Sequence, residues 1–274
     1  MELRFISYQS STVFYRVTGK GKPVILLHGF GEDGMIWENQ ISFFKDHFQL
    51  IIPDLPGSGK SSALTTQLVT NLPDRQVGME EYALIVKAIL DKEQIAVCTM
   101  IGHSMGGYIT LAFTEKFPQL LSSFGLLHST AFADSEEKKS ARLKSIEFIQ
   151  KNGAYEFLKT SLPGLFFMGH DGLNPSNHYI SGLIEKGKLF SSEALIQYYH
   201  AMIERPDRTE VLKKFEGPIL FIMGEYDNAI PFSQSLQQCY LPDESQIHIL
   251  RNSAHMGMLE EPAKINNSLL QFLQ

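Results

Sequence analysis

The sequence predicts an α/β fold organised on a mainly parallel sheet. Three observations predict it: short apolar runs without the alternation of a half-exposed strand, helical patterns between successive runs, and a Gly-x-Ser-x-Gly turn set between one such run and a helix. Strands that are apolar on both faces are covered on both sides, as crossover helices require. At 274 residues, 43% of them hydrophobic and 20% charged, the chain has the size and composition of one globular α/β unit.

Leu3 to Ser7 and Thr12 to Val17 read as an opening hairpin. Val24-Ile25-Leu26-Leu27 and Leu50-Ile51-Ile52 read as buried strands, as do Ile95 to Ile101, Phe124 to Leu127 and Ile219 to Met223. Ile247 to Leu250 comes last. Between them, Met79 to Glu93 carries Tyr82, Ile85, Val86, Ile89 and Leu90 at helical spacing, with Glu80 and Glu81 near its positive end. A final helix runs from about Glu261 to Leu273. From Ser129 to Arg205 no strand-like run occurs. Helical patterns fill that stretch (Glu136 to Asn152, Ala154 to Ser161, Ser176 to Lys188, Ser192 to Glu204), punctuated at Pro163-Gly164 and Asn174-Pro175. This is a helical insertion between two strands.

A net charge of −6 argues against nucleic acid or an anionic membrane as a partner. Every apolar candidate for a membrane span is interrupted by Lys, Glu or Asp, and the first residues alternate like a strand rather than a secretion signal. Two cysteines, Cys98 and Cys239, make no disulfide framework and fit a reducing cytoplasm. Neither His-Glu-x-x-His nor Cys-x-x-Cys spacing occurs, so no metal is indicated, and the serine chemistry read below is expected to need no cofactor. Gly57-Ser58-Gly59-Lys60-Ser61 ends like a phosphate-binding loop, but Asp54 occupies the slot of the required first glycine. It reads instead as a turn near the rim of the site.

Gly102-His103-Ser104-Met105-Gly106 follows a buried strand and opens a helix, the context of a nucleophile elbow. Glycines two before and two after the serine remove side chains that so tight a turn could not hold. A serine hydroxyl needs a base, and the base an orienting carboxylate. Among nine histidines, His255 lies in the loop after the last strand, where the crevice of an open α/β sheet forms. His248 lies within a strand; His47, His170, His178 and His200 read as solvated, and His103 is expected to project away from Ser104. Asp227, in the turn after Ile219 to Met223, is preferred over Glu225 and Asp54 and gives the order Ser, Asp, His. Oxyanion donors are expected at the N–H of Met105 and, in the loop His28-Gly29-Phe30-Gly31, at that of Phe30. His28 itself reads as a structural hydrogen-bonding residue. Phe166, Phe167 and Met168, with Ile230 and Met256, are the expected substrate-pocket residues.

These motifs resemble those of the α/β-hydrolase fold superfamily, within its group of capped, single-domain, esterase-like serine hydrolases. The resemblance rests on His28 to Gly31, Asp54 to Ser61, Gly102 to Gly107, Gly224 to Pro231 and His255 to Pro262. It implies a mostly parallel eight-stranded sheet with helices on both faces and a helical cap inserted after the sixth strand. The core would comprise residues 1–128 and 206–274, and the cap 129–205. A serine at the elbow departs from the dehalogenase and epoxide-hydrolase branches, which use aspartate there. The expected activity is hydrolysis of a small carboxylic ester through an acyl-enzyme on Ser104. The alternatives are a carbon–carbon hydrolase of a ring-cleavage product, with Arg142 or Arg205 holding a substrate carboxylate, and a thioesterase, aminopeptidase or perhydrolase. A slow-turnover ligand receptor with an intact triad is a further alternative.

Overall fold

The computed structural model describes residues 1–64, 77–169 and 176–274. Its sheet has the order β1-β2-β4-β3-β5-β6-β7-β8. The strands are β1 (Glu2–Tyr8), β2 (Ser11–Thr18), β3 (Pro23–Leu27), β4 (Gln49–Pro53), β5 (Cys98–His103), β6 (Leu121–Leu127), β7 (Ile219–Gly224) and β8 (Ser245–Leu250). β2 runs antiparallel to both of its neighbours, and every pairing from β4 through β8 is parallel. β3, β5 and β7 are buried almost throughout, which accounts for their unbroken apolar runs. β8 closes one edge and leaves Ile247 and Ile249 exposed.

Two strands begin three residues from where the sequence reading starts them. β5 begins at Cys98 rather than Ile95, because the Ile95 N–H donates to the Leu90 carbonyl and is spent closing the preceding helix. β6 begins at Leu121, where its ladder to β5 already extends. Four short helices, Glu38–Phe44, Thr209–Lys214, Phe232–Gln238 and Gly257–Glu260, went unread because so few residues carry little periodicity.

Register decides where the site forms. Leu27 pairs with Gly102, His103 with Leu127, Leu127 with Ile222, and Gly224 with Leu250. The carboxyl ends of β3, β5, β6, β7 and β8 therefore stop along one rim. The residues that leave those ends enter a common crevice.

Helices between β6 and β7 cover that rim: α4 (Glu136–Asn152), α5 (Ala154–Ser161), α6 (Asn177–Gly187) and α7 (Ser192–Glu204), numbered after α1 (Glu38–Phe44), α2 (Met79–Lys92) and α3 (Met105–Lys116). His170, Asn174 and Pro175 fall outside the described residues. Several contacts seat these helices. The Tyr198 hydroxyl donates to the Pro56 carbonyl at 2.6 Å, the Phe30 and Tyr199 rings lie 4.4 Å apart, and the His255 N–H donates to the Leu165 carbonyl at 2.9 Å. Arg205 stacks its guanidinium 3.9 Å from the centre of the Tyr108 ring, on α3. Among the described residues, no helix is long and apolar enough to cross a membrane.

A buried carboxylate anchors the start of the insertion. Asp134 accepts from Arg142 Nε at 2.6 Å and from Arg205 Nη2 at 2.9 Å, so neither arginine is simply solvated. Burial alone would raise the Asp134 carboxyl, but Arg205 and Arg142 hold it below its usual value. Its contribution to stability is then complete above pH 3.8 and lost as the pH falls through the lowered value. Asp134→Asn should therefore cost about 3 kcal/mol at pH 7 by stranding two guanidinium groups. The difference from wild type should shrink below pH 3.8, as urea unfolding at pH 7 and pH 3 would show.

Candidate active site

Ser104 takes φ 50° and ψ −115°, a conformation that L residues adopt only where their surroundings impose it. Here the surroundings are backbone. A Cβ on Gly102 would lie 2.4 Å from the Gly106 carbonyl oxygen, and one on Gly106 would lie 2.4 Å from that of Leu27. The Ser104 N–H donates to the Leu127 carbonyl at 2.9 Å, and the Ser104 carbonyl accepts from the Gly107 N–H and the Ser129 hydroxyl. The turn is thus fixed on both sides, and the hydroxyl is only partly buried.

His255 Nε2 lies 2.9 Å from Ser104 Oγ, and His255 Nδ1 lies 2.8 Å from Asp227 Oδ2. Since an ionised carboxylate only accepts, Nδ1 carries the proton and Nε2 presents its lone pair to the hydroxyl. The other oxygen of Asp227, Oδ1, accepts the N–H groups of Ala229 and Ile230 at 2.9 and 2.8 Å. Burial would raise the Asp227 carboxyl, but His255 and then His128 hold it far below the usual range. Gly224 lets the two loops meet, since a Cβ there would sit 2.0 Å from the Ala254 carbonyl oxygen. Of the competing acids, Glu225 is exposed, and Asp54 is committed to Arg16 and to the N–H groups of Gly34 and Lys60.

The loop after β3 runs past the same hydroxyl. His28 Nε2 accepts from the Leu55 N–H at 2.9 Å, tying this loop to the turn at Gly57 and Ser58. Neither the Phe30 N–H nor the Met105 N–H donates to another group among the described residues. Met105 is also the first residue of α3, where free N–H groups and the helix dipole favour negative charge.

Three histidine rings pack together behind Ser104. His103 does not line the cavity that Ser104 opens into and turns into the core: its ring lies 5.0 Å from that of His255, Nε2 contacts the His255 carbonyl at 2.9 Å, and Nδ1 lies 3.1 Å from Glu32 Oε2. Burial pushes the His103 imidazole down, but Glu32 more than compensates and the net shift is upward. Glu32 is likewise penalised by burial, yet His103 and the Gly29 N–H leave it below its ordinary value. His128 adds a third ring, with Nδ1 3.3 Å from Asp227 Oδ2. His128, Asp227 and His255 bring their polar atoms within 4.8 Å of one another, a closeness their mutual hydrogen bonds account for.

Ser104 and His255 open into a cavity of about 240 Å³. Phe30, Tyr108, Phe157, Tyr199, Met202 and Ile230 give it an apolar and aromatic wall, while Glu32, Lys138 and Arg142 supply charge. Of the expected pocket residues, Ile230 lines this cavity; Phe166, Phe167, Met168 and Met256 do not. The chain turns away after Leu165. Phe166 is buried in the core, Phe167 stacks on Tyr226 at 4.4 Å, Met168 is exposed, and Met256 packs inside. Of the two arginines expected to be available to a substrate carboxylate, Arg142 lines the cavity and Arg205 does not; Lys138, Phe157 and Tyr199 were not singled out, because only the docking of the helices between β6 and β7 brings them over Ser104.

The alpha/beta hydrolase fold family matches residues 22–162 of the chain. The structure is similar to that of a thermophilic esterase from Thermogutta terrifontis, solved with malate bound, at 24% identity and a TM-score of 0.84, over 100% of this chain and 98% of the other. It is also similar to an enol-lactonase from Burkholderia xenovorans, at 19% identity and a TM-score of 0.86, over 98% of this chain and 99% of the other. The 2-hydroxy-6-oxo-6-(2'-aminophenyl)hexa-2,4-dienoic acid hydrolase of Metapseudomonas resinovorans is 23% identical over 273 residues, 98% of this chain and 90% of that protein.

The Glu32–His103 pair makes a stability test. The imidazole, raised in the folded state, contributes fully below pH 6.5 and loses that contribution as the pH rises through its folded value. The carboxylate, lowered in the folded state, contributes fully above pH 4.5. Glu32→Gln should therefore cost most between pH 4.5 and 6.5, about 3 kcal/mol, and less at pH 9, as read from denaturant midpoints.

Proposed function

This chain belongs to the α/β-hydrolase fold family, and we propose that it is a serine hydrolase that cleaves a small carboxylic ester through an acyl-enzyme. The observation that carries the reading is the continuous relay from Ser104 Oγ through His255 to Asp227, at 2.9 and 2.8 Å.

In this reading Ser104 Oγ attacks the substrate carbonyl while His255 Nε2 accepts its proton. Asp227 keeps the imidazole in the required tautomer and stabilises its cationic form. The N–H groups of Phe30 and Met105 receive the developing oxyanion, each such donor contributing about 3 kcal/mol. His255 then protonates the leaving alcohol. Water, deprotonated by the same imidazole, attacks the acyl-enzyme and releases the acid. Residues 129–205 act as the cap, whose aromatic side chains bound the acyl group and limit its size.

A second reading, carbon–carbon hydrolysis of a ring-cleavage product, is favoured by Lys138 and Arg142 in the cavity wall. Asp134, the acid paired with Arg142, is shared with Arg205, so that part of the site carries excess positive charge. The Metapseudomonas resinovorans relative named above is a hydrolase of a dienoic acid.

Steady-state kinetics on p-nitrophenyl esters from acetate upward, and on a vinylogous diketone acid, test both readings. Ser104→Ala should lower kcat on the ester by on the order of 10⁴-fold or more, and Asp227→Asn by about 10⁴-fold, with little change in KM. Equal turnover by wild type and Ser104→Ala would refute the nucleophile. Turnover of the diketone acid well above that of any ester would replace the first reading with the second.

A further inference from the structure

Of the two members of the buried histidine cluster that the proposed reaction leaves without a task, His128 is the one whose ring meets Asp227. It leaves the end of β6, where Leu127 is in register with His103 on one side and Ile222 on the other. That register puts it between the strand of the nucleophile and the strand of the acid. Its backbone is left-handed, with φ 49°, and is pinned by its N–H donating to the Ile222 carbonyl at 2.8 Å. The imidazole is fully buried. Nδ1 faces Asp227 Oδ2, and Nε2 meets no hydrogen-bond partner among the described residues. Gly257 leaves room for that nitrogen, since a Cβ there would lie 2.4 Å from it.

These facts fix the proton. Asp227 is ionised and can only accept, so Nδ1 carries the hydrogen and Nε2 is a bare lone pair. Protonating Nε2 would bury a cation whose new N–H has no acceptor. Burial accordingly drives the imidazole down to about 4. Over the working range His128 thus supplies Asp227 with a donor and no charge. Asp227 then accepts four N–H groups, two from imidazoles at Oδ2 and two from the backbone at Oδ1.

Resting on the Ser104–His255–Asp227 reading, we propose that His128 is a positioning residue whose Nδ1–H, donated to Asp227, orients the carboxylate and limits how strongly it stabilises the protonated form of His255. With fewer donors, the carboxylate would hold the imidazolium of His255 more tightly, and the base would become available only at higher pH. The other ionisable groups around the cluster are His103 at the end of β5, 5.9 Å ring to ring, with Glu32 behind it. Glu260 holds the N–H groups of Ala254 and Met256, and Lys138 and Arg142 line the cavity. All of these residues are retained in every variant compared.

The test is the pH dependence of the rate at which a fluorophosphonate labels Ser104, measured for wild type, His128→Ala and His128→Asn. Asparagine tolerates the left-handed backbone and puts an amide N–H near the position of Nδ1. The acid limb should move up by about 0.5–1 pH unit in His128→Ala and return toward the wild-type position in His128→Asn. A limb that stays in place in a folded, labelled His128→Ala protein would reduce His128 to packing and overturn the proposal. Should His128→Ala not fold, ¹⁵N-histidine spectra of the wild type, assigned with His128→Asn, decide: an Nδ1–H tautomer from pH 5 to 8 supports it, and an Nε2–H tautomer or a cation overturns it. Absence of any label on wild-type Ser104 would instead defeat the hydrolase reading and leave the tautomer result standing.

Discussion

The approach of backbone to backbone around Ser104 is the constraint on which the rest of the site depends. Gly102 lies against Gly106, and Gly106 against the end of β3, at separations that no side chain could occupy. Only then can the chain pass from β5 into α3 within one residue and leave the hydroxyl standing at the rim. The same close fit sets the Met105 N–H and the loop after β3 beside one another. Hydroxyl and candidate oxyanion donors are consequences of one packing arrangement.

Around that turn the site is held by buried polar groups that satisfy one another. Asp227 collects four N–H donors, Glu32 collects the Gly29 N–H and the His103 imidazole, and His103 reaches the His255 carbonyl. Each carboxylate holds its charge because its donors outweigh its burial. The loops after β3, β7 and β8 and the end of β5 are thereby linked through side chains, and the imidazole of His255 has little freedom to leave the hydroxyl. Such preorganisation is what an oxyanion-stabilising site requires, since no reorganisation is then needed as charge develops.

Much of this was legible in the sequence, and the parts that were not share a cause. Buried strands, the glycines flanking Ser104 and the order Ser, Asp, His are local patterns, and strand ends in register bring local patterns together. The helices from Glu136 to Asn152, Ala154 to Ser161 and Ser192 to Glu204 were legible for the same reason. The cavity wall was not. Phe166 to Met168 looked like pocket residues by composition, but the chain direction after Leu165 carries them elsewhere, and Lys138, Phe157 and Tyr199 arrive through the docking of helices distant in sequence. His103 and His128 were equally opaque. A histidine at a strand end shows its role only when the neighbouring strands reveal which carboxylate it meets.

The inserted helices also explain why the chemistry is easier to assign than the substrate. The relay needs a few fixed atoms, whereas selectivity depends on a wall that mixes aromatic rings with two cations. Trapping the covalent intermediate puts the relay to the test. Wild-type protein mixed with p-nitrophenyl acetate and quenched in acid within the first turnover should carry a single acetyl group on the peptide containing Ser104. Turnover with no adduct, or with the acetyl group on another residue, would rule out Ser104 as the nucleophile.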